Sequence, residues 1–377
     1  MTSKEELKVL RDNIDAIDDK MLALFNERMG ISTQVAAVKA KSNIAVTDTS
    51  REEQVIANAI TKADQATAQE TTAFMNTLMA LSKSKQSHIL LPVGGGADIP
   101  KSAGVPSGDI VVAYQGVVGA WGEHSAIEMF PNANRINCDY FEDVVAAVKS
   151  GRAQYGVLPI ENSQTGAIGE VYDLLRRHSC YIVGQRWINI AQCLLGLEGA
   201  EISDVREVFS HPEGFGQCRR FLKNKNWELT ACRNTAYAAQ MVAEKAEKRY
   251  ASIGSRRAAQ AHGLAVLAAD IMDNAKNSTR FIAIAANPIY DETCDATSIT
   301  FSTAHKSGAL CAVLQSFMLA GINLSRIESR PAGMDTYRFF ADLQVNVMSD
   351  AAVSALNQAA THCDYFEVLG CYKAINN

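Results

Sequence analysis

A helical domain, an α/β domain and a small α+β domain are predicted, in that order, for this chain of 377 residues, and three observations predict them. The first 91 residues hold no proline, no cysteine and one glycine, Gly30, whereas the following PVGGGADIPKSAGVPSGD is rich in breakers of helix and strand. From Asp109 short β-rich runs alternate with helical stretches. From Thr297 the order becomes strand, helix, strand, strand, helix, strand. The expected divisions are 1–90, a linker over 91–108, 109–290 and 297–377.

In the first segment Leu7, Leu10, Ile14, Ile17, Met21 and Leu24 recur at steps of three and four, the apolar stripe of one long helix from about Glu5 to Lys41. Such a rod is roughly 55 Å long, against a radius of gyration of about 12 Å for a compact domain of this size. One subunit cannot wrap its own helix, so an intertwined dimer is expected. Ser50 and Glu53 read as a capping box for a second helix, and a third is expected from about Gln69 to His88.

In the second segment the strand candidates are DIVVAYQG, YGVLPIEN, CYIVGQ, REVFS and YASIGS, with helices such as EVYDLLRRH and TAYAAQMVAEKAEKR between them. That alternation predicts a largely parallel sheet. Strand ends run into polar or glycine turns before helices: Asn162-Ser163 with Gly166, Ser210-His211 with Gly214 and Gly216, and Gly254-Ser255. Helix amino termini at strand carboxyl ends offer free N–H groups to anions, so a carboxylate substrate is expected. The third segment has the split βαβ order of ferredoxin-like domains, with Gly321 placed to end its first helix.

Composition excludes several classes. With 47% hydrophobic and 20% charged residues the chain is globular, and no apolar run approaches the roughly 18 residues of a membrane span. A net charge of −5 without a basic block gives no reason to expect nucleic acid. Nine scattered cysteines with no C-x-x-C pair fit reduced thiols, so neither metal nor other cofactor is expected, and the localisation expected is cytoplasmic. NSTRF at 277–281 spells a glycosylation acceptor, but MTSKEELKVLRD lacks a signal-peptide core, which weakens that reading.

The sequence resembles, over nearly its whole length, the bifunctional chorismate mutase/prephenate dehydratase family of phenylalanine biosynthesis. The resemblance implies an all-α AroQ-type mutase, a two-lobed α/β dehydratase and an α+β ACT domain. It rests on Arg11, Arg28, Lys39, Asp48, Arg51 and Glu52 in the first segment, and on PIENSQTGAIGEVYDLL, SHPEGFGQC and NSTRF in the second. In the third it rests on SGAL and ESRP. It implies conversion of chorismate to prephenate and of prephenate to phenylpyruvate, with L-phenylalanine as effector and a homodimer or higher oligomer.

The mutase step is a unimolecular rearrangement, so positioning and electrostatics must do the work. The resemblance implies that Arg11, Arg28 and Arg51 bind carboxylates, that Lys39 donates to the ether oxygen, and that Asp48 and Glu52 hold the substrate hydroxyl. Arg28 and Lys39, eleven residues apart, project within about 20° of each other on a helix. Arg11 lies about 100° off, which suits supply from a partner subunit. A serine and a glutamine assisting at the ether oxygen fit Ser82 and Gln86, with Ser84 and His88 as the alternative register. The bland reading makes these residues the wet face of a coiled coil.

For dehydration, the resemblance implies that Thr279 assists the departing hydroxyl, as oriented donor or relay, and that Arg280 binds a carboxylate. Phe281 reads as packing. Asn162 and Ser163 would contact substrate, Glu161 would orient the site, the N–H groups around Gly166 would take a carboxylate, and Ser210 and Gln217 would contribute. His211, before a proline at a strand end, reads as structural. AYQGVVGAWGEHSA keeps Gln115 and Gly116 but departs from the family pattern, with Gly122 for a serine and Trp121 for tyrosine or phenylalanine. Gly308, Ala309 and Leu310, with Glu328, Ser329, Arg330 and Pro331, would hold phenylalanine.

Two rival readings lack support in the residues. A mutase/prephenate dehydrogenase needs a G-x-G-x-x-G turn, and none occurs. A two-lobed binding protein joined to an amino-acid sensor would not require Thr279-Arg280 or the first segment's cations.

Overall fold

The computed structural model describes residues 3–42, 44, 48–87, 97–333 and 336–375. The first segment is three helices, α1 (Ser3–Ser42), α2 (Thr49–Ile60) and α3 (Ala68–Ser87), with α3 packed on both others. The capping box expected at Ser50 is not the cap. Asp48 caps α2, its carboxylate accepting the Arg51 N–H at 3.0 Å and the Ser50 hydroxyl at 2.8 Å. A charged acceptor at the positive end of the helix dipole is the stronger cap. Within one chain the stripe Leu7, Leu10, Ile14, Ile17, Met21 and Leu24 stays 46% to 65% exposed.

Residues 97–110 form no helix or strand, yet they are strapped down rather than free. The Ala97 N–H donates to the Asn357 side chain, and Ser102 and Pro100 accept from the Tyr290 backbone N–H and hydroxyl.

Two lobes follow. The first contains β1 (Val111–Gln115), α4 (Trp121–Met129), β2 (Asn134–Cys138), α5 (Phe141–Lys149), β3 (Tyr155–Asn162), β4 (Gly166–Ala167), α6 (Gly169–His178) and β5 (Tyr181–Asn189). The chain then crosses to β6 (Cys193–Gly196), β7 (Glu207–Ser210), α7 (Pro212–Gln217), α8 (Arg219–Leu222), β8 (Glu228–Ala231), α9 (Thr235–Lys245), β9 (Tyr250–Gly254), α10 (Arg256–His262) and β10 (Ala265–Ala268). It returns to the first lobe as β11 (Ser278–Ala285). The sheet orders are β16-β5-β11-β3-β1-β2, where β16 is the closing strand Ala374–Ile375 and β4 lies on β3, and β10-β6-β9-β7-β8. The expected largely parallel sheet is thus two mixed sheets. β11 runs antiparallel to β3 and β5, and β6 antiparallel to β9 and β10, because a chain that leaves one lobe and comes back inserts strands in the opposite sense.

The last segment is β12 (Ala296–Ser302), α11 (Ala309–Leu319), β13 (Leu324–Gly333), β14 (Thr336–Leu343), α12 (Asp350–Ala360) and β15 (Tyr365–Tyr372), before β16 (Ala374–Ile375) joins the first lobe. Its antiparallel sheet has the order β13-β14-β12-β15. Gly321, at φ 69°, follows α11 as expected. One sheet face packs on α11 and α12 through Phe301, Phe317, Leu343 and Leu356. The other presses on the first lobe, where Phe340, Leu369 and Tyr372 join the core of Leu158, Tyr172 and Ile282. A Cβ on Gly370 would stand 2.0 Å from the Ile182 carbonyl oxygen, so only glycine permits this approach. Among the described residues no helix is long and apolar enough to cross a membrane.

Candidate active sites

Along α1 and α3 the polar residues converge as their helical spacing requires. Arg28 donates to the Leu78 carbonyl at 3.1 Å and to the Ser82 hydroxyl, and Gln86 Nε2 donates to Ser32 Oγ at 3.0 Å. Ser82 and Gln86 are buried toward α1, which favours their register; His88 lies outside the described residues. Among the described residues Gln86 Oε1 is buried without a partner. Glu52 pairs with Lys83, a cation the sequence reading missed, at 3.1 Å. Asp48 is held below the usual carboxylate range, chiefly by the Arg51 N–H and then the Ser50 hydroxyl, with Lys39 adding to the effect. The Arg51 side chain is exposed, its guanidinium 3.5 Å from Gln54 Oε1. Arg11 is also exposed, and at 1.5 Å per residue it stands about 25 Å along the axis from Arg28. The two arginines cannot grip one small molecule within a single chain.

Between the two lobes lies a cleft of about 450 Å³. Thr279 and Phe281 from β11, Asn162 from β3 and Gln115 from β1 line one side; His211, Gln217, Arg233, Asn234 and Thr235 line the other. Helices α4, α5, α6 and α9 begin on its rim, so their free N–H groups favour an anion there. Asn162 and Thr279 are register partners. Asn162 Oδ1 accepts the N–H groups of Gln164 and Thr165 at 2.9 and 3.1 Å, which turns its amide nitrogen toward Thr279 Oγ1 at 3.0 Å. The threonine oxygen therefore accepts, and its own hydrogen is left for another acceptor.

Several expected contacts fall elsewhere. Strand alternation sends Arg280 to the face opposite Thr279, where Nη1 meets Asp342 Oδ2 at 2.7 Å and Gln185 Oε1 at 3.0 Å. Arg280 does not line the cleft. Burial is the largest influence and disfavours its charge, but Asp342, Tyr372 and Glu161 together outweigh it and hold the guanidinium above its ordinary range. Glu161, its register partner, shares that hidden face, with Oε2 3.3 Å from Arg280 Nε and 3.1 Å from Arg326 Nε. Ser163 binds its hydroxyl to the Ser278 N–H, and Gly166 pairs in β4 with Asn162, while the neighbouring N–H groups are already taken by Asn162. Ser210 is fully buried under Gly214 and donates to the Ile253 carbonyl. Gln217 does line the cleft and accepts from Gln192 at 3.1 Å. Asn277 is wholly buried against Asn162, which removes it as a glycosylation acceptor in the folded protein.

Other cleft residues escaped the sequence reading. Arg233 is paired with Asp139 across the mouth at 3.2 Å and stacks over Tyr237. Asn234 caps α9 by accepting the Tyr237 N–H at 2.7 Å. The signal was present in RNTAY, a strand end turning into a helix like the three turns that were singled out. Gly122 explains the departure in GAWGE: a Cβ there would meet the Gln115 carbonyl oxygen at 2.7 Å. Trp121 lines the cleft, and its buried indole N–H has no partner among the described residues. His211 both lines the cleft and caps α7 through Nδ1.

In the last segment β13 alternates as well. Arg326, Glu328 and Arg330 turn inward to the first lobe, while Ser329 and Pro331 are exposed. Arg330 rests its guanidinium where a Cβ of Gly169 would be. Glu328 and Arg330 are thus occupied within the chain, contrary to a joint role of all four residues on a ligand. Gly308, at φ 81°, caps α11, with Ala309 buried and Leu310 half-buried behind it.

Such a fold and such sites define a multidomain enzyme acting on small carboxylates. Residues 112–289 match the family described as Prephenate dehydratase, and residues 10–87 match Chorismate mutase type II. The bifunctional chorismate mutase/prephenate dehydratase of Escherichia coli K12 is 31% identical, over 100% of this chain and 98% of its own length. An Arabidopsis thaliana arogenate dehydratase/prephenate dehydratase is 36% identical over 69% of this chain and 71% of its own. The crystal structure of prephenate dehydratase from Arthrobacter aurescens in complex with L-Phe superposes with a TM-score of 0.64 at 27% identity, covering 70% of this chain and 90% of that one. The chain belongs to the bifunctional chorismate mutase/prephenate dehydratase family. It carries the isomerase and the lyase that lead from chorismate through prephenate to phenylpyruvate in phenylalanine biosynthesis.

Proposed function

We propose that the interlobe cleft is the dehydratase site and that the α1–α3 surface is the mutase site. One observation carries the first assignment: the buried Thr279–Asn162 pair on the floor of a cleft rimmed by helix amino termini and Arg233. In this reading Arg233 and the rim N–H groups hold the carboxylates of prephenate. The Thr279 hydroxyl, with its oxygen accepting from Asn162, donates to the departing hydroxyl. The C–C bond to the lost carboxylate supplies the electron pair that aromatises the ring, and the C–O pair leaves with oxygen. The test supplies chorismate to the purified chain without nucleotide: prephenate and then phenylpyruvate are expected, and prephenate alone would remove the cleft assignment.

Arg233→Gln is expected to raise KM for prephenate about tenfold or more while kcat changes little, since a hydrogen bond to a charged group contributes roughly 1.5–3 kcal/mol. Steady-state kinetics check it; an unchanged KM would exclude Arg233 as an anchor.

On the mutase side, Arg28, Lys39, Asp48, Arg51, Glu52, Ser82 and Gln86 of one chain act with Arg11 of a second copy. The exposed stripe on α1 and the distance from Arg11 to Arg28 support a homodimer. Light scattering should give twice the chain mass or a multiple of it, and a monomer that retains mutase turnover would refute the shared site. The last segment, residues 297–377, reads as an ACT domain that binds L-phenylalanine near Gly308, Ala309 and Leu310 and the outward Ser329 and Pro331. These stretches lie at one end of the sheet, where Phe301 pairs with Phe339 and Phe339 with Ser329, so only β14 separates them. Inhibition then follows by linkage, phenylalanine favouring a less active arrangement.

A further inference from the structure

Four charges alternate across the junction of the dehydratase and the last segment. Arg326 Nε is 3.1 Å from Glu161 Oε2, that oxygen is 3.3 Å from Arg280 Nε, and Arg280 Nη1 is 2.7 Å from Asp342 Oδ2. Asp342 is itself fixed by Ser298, whose hydroxyl donates to Oδ1 at 2.5 Å and meets the Tyr372 hydroxyl at 2.8 Å. Both ends are register pairs: Glu161 faces Arg280 across β3 and β11, and Arg326 faces Asp342 across β13 and β14. The next register pair along β3 and β11 is Asn162 with Thr279, on the opposite face. Arg326 also lies over the Tyr172 ring, 5.1 Å from its centre, and Arg330 leans on Gly169, beside the cleft residues Ile168 and Glu170.

A strand pair cannot shift on one face and stay still on the other, because adjacent residues share a backbone. The charges on the hidden face therefore set where Asn162 and Thr279 stand in the cleft. We propose that Asp342 and Arg326, residues of the last segment, are positioning residues for dehydration, acting through Arg280 and Glu161 on the Thr279–Asn162 pair. The inference rests on the cleft being the dehydratase site. It makes the last segment a working component of that site even without an effector. It also gives anything that moves β13 a path to the reacting groups, through Arg326 to Glu161, the neighbour of Asn162, and on to Arg280, the neighbour of Thr279.

The test is kinetic, on the full chain. Arg326→Gln and Asp342→Asn should each lower kcat for supplied prephenate at least tenfold, with KM within threefold and chorismate turnover by the mutase unchanged. Arg326→Lys, which keeps the charge toward Glu161, should retain at least half of the wild-type kcat. Should Asp342→Asn not fold, as judged by near-UV circular dichroism, the Arg326 pair of variants carries the test. A folded Arg326→Gln protein with kcat within twofold of wild type would overturn the proposal, as would equal losses of both activities or a rise in KM alone. Thr279→Ala, assayed alongside, separates the two ideas. If it abolishes dehydration while the Arg326 and Asp342 variants do not affect it, the positioning role alone fails; if it leaves dehydration intact, the cleft assignment fails.

Discussion

Thr279→Ala is expected to lower kcat for prephenate dehydration by a hundredfold or more, so that prephenate accumulates when chorismate is supplied. The expectation comes from hydrogen-bond direction. Asn162 is locked with its carbonyl toward two backbone N–H groups, so its amide nitrogen donates to Thr279 Oγ1. The threonine hydrogen is thereby released toward the cleft, where a leaving hydroxyl needs a proton or a hydrogen bond. Assistance of this kind contributes about 10²–10⁴ in rate, and its loss should appear in kcat rather than in KM. Thr279→Ser, which keeps the hydroxyl, should recover a large share of the rate; Asn162→Ala, which frees the Oγ1 orientation, should recover none. Product analysis by ultraviolet absorbance of phenylpyruvate decides it, and undiminished phenylpyruvate from Thr279→Ala would remove the residue from the mechanism.

The residue next to Thr279 shows where sequence reading stops. NSTRF was legible as a motif, and the fold brings its Thr279 within hydrogen-bond reach of Asn162, 117 residues away. Read as a strand, the same letters would have separated Thr279 and Phe281 from Arg280 by alternation alone. What no sequence pattern supplies is the partner on the far face, because Asp342 is 62 residues further along the chain and meets Arg280 only when the third sheet docks. The two lobes were expected, but the same limit hid the antiparallel strands within them, since strand order depends on which crossover returns and not on local propensity. Long-range periodicity fared better. The α1 stripe set the length of the rod and left its apolar face uncovered, which is legible in the sequence as a helix too long for one domain. Capping was local and still misread: Asp48 and Ser50 are both good caps, and the choice falls on the charged acceptor, which takes the Arg51 N–H and the Ser50 hydroxyl together.

Lys39→Ala carries the second large effect. Chorismate turnover should fall by a hundred- to a thousandfold, the cost typical of losing one donor aimed at developing negative charge. Turnover of supplied prephenate should stay within twofold of wild type. Lys39 sits half-buried on the same side of α1 as Arg28, about 16 Å further along the axis, close enough to lower the proton affinity of Asp48. A rearrangement with no covalent intermediate has no other chemistry to fall back on, so a cation at the breaking ether bond governs kcat. The dehydratase cleft is built wholly from residues between Gln115 and Phe281, none of them on α1, so the two losses should separate. Parallel assays on one preparation, with chorismate and with prephenate, measure both. Loss of both activities in a chain that keeps its far-ultraviolet helix signal would mean that the mutase helices support the cleft. The route for that lies where α3 packs on α11 and α12. There His362 is held below the usual imidazole range by burial and by Lys83, against the opposing pull of Glu52. Lys39 lies on α1, whereas that contact is made by α3, so a selective loss is the expected outcome.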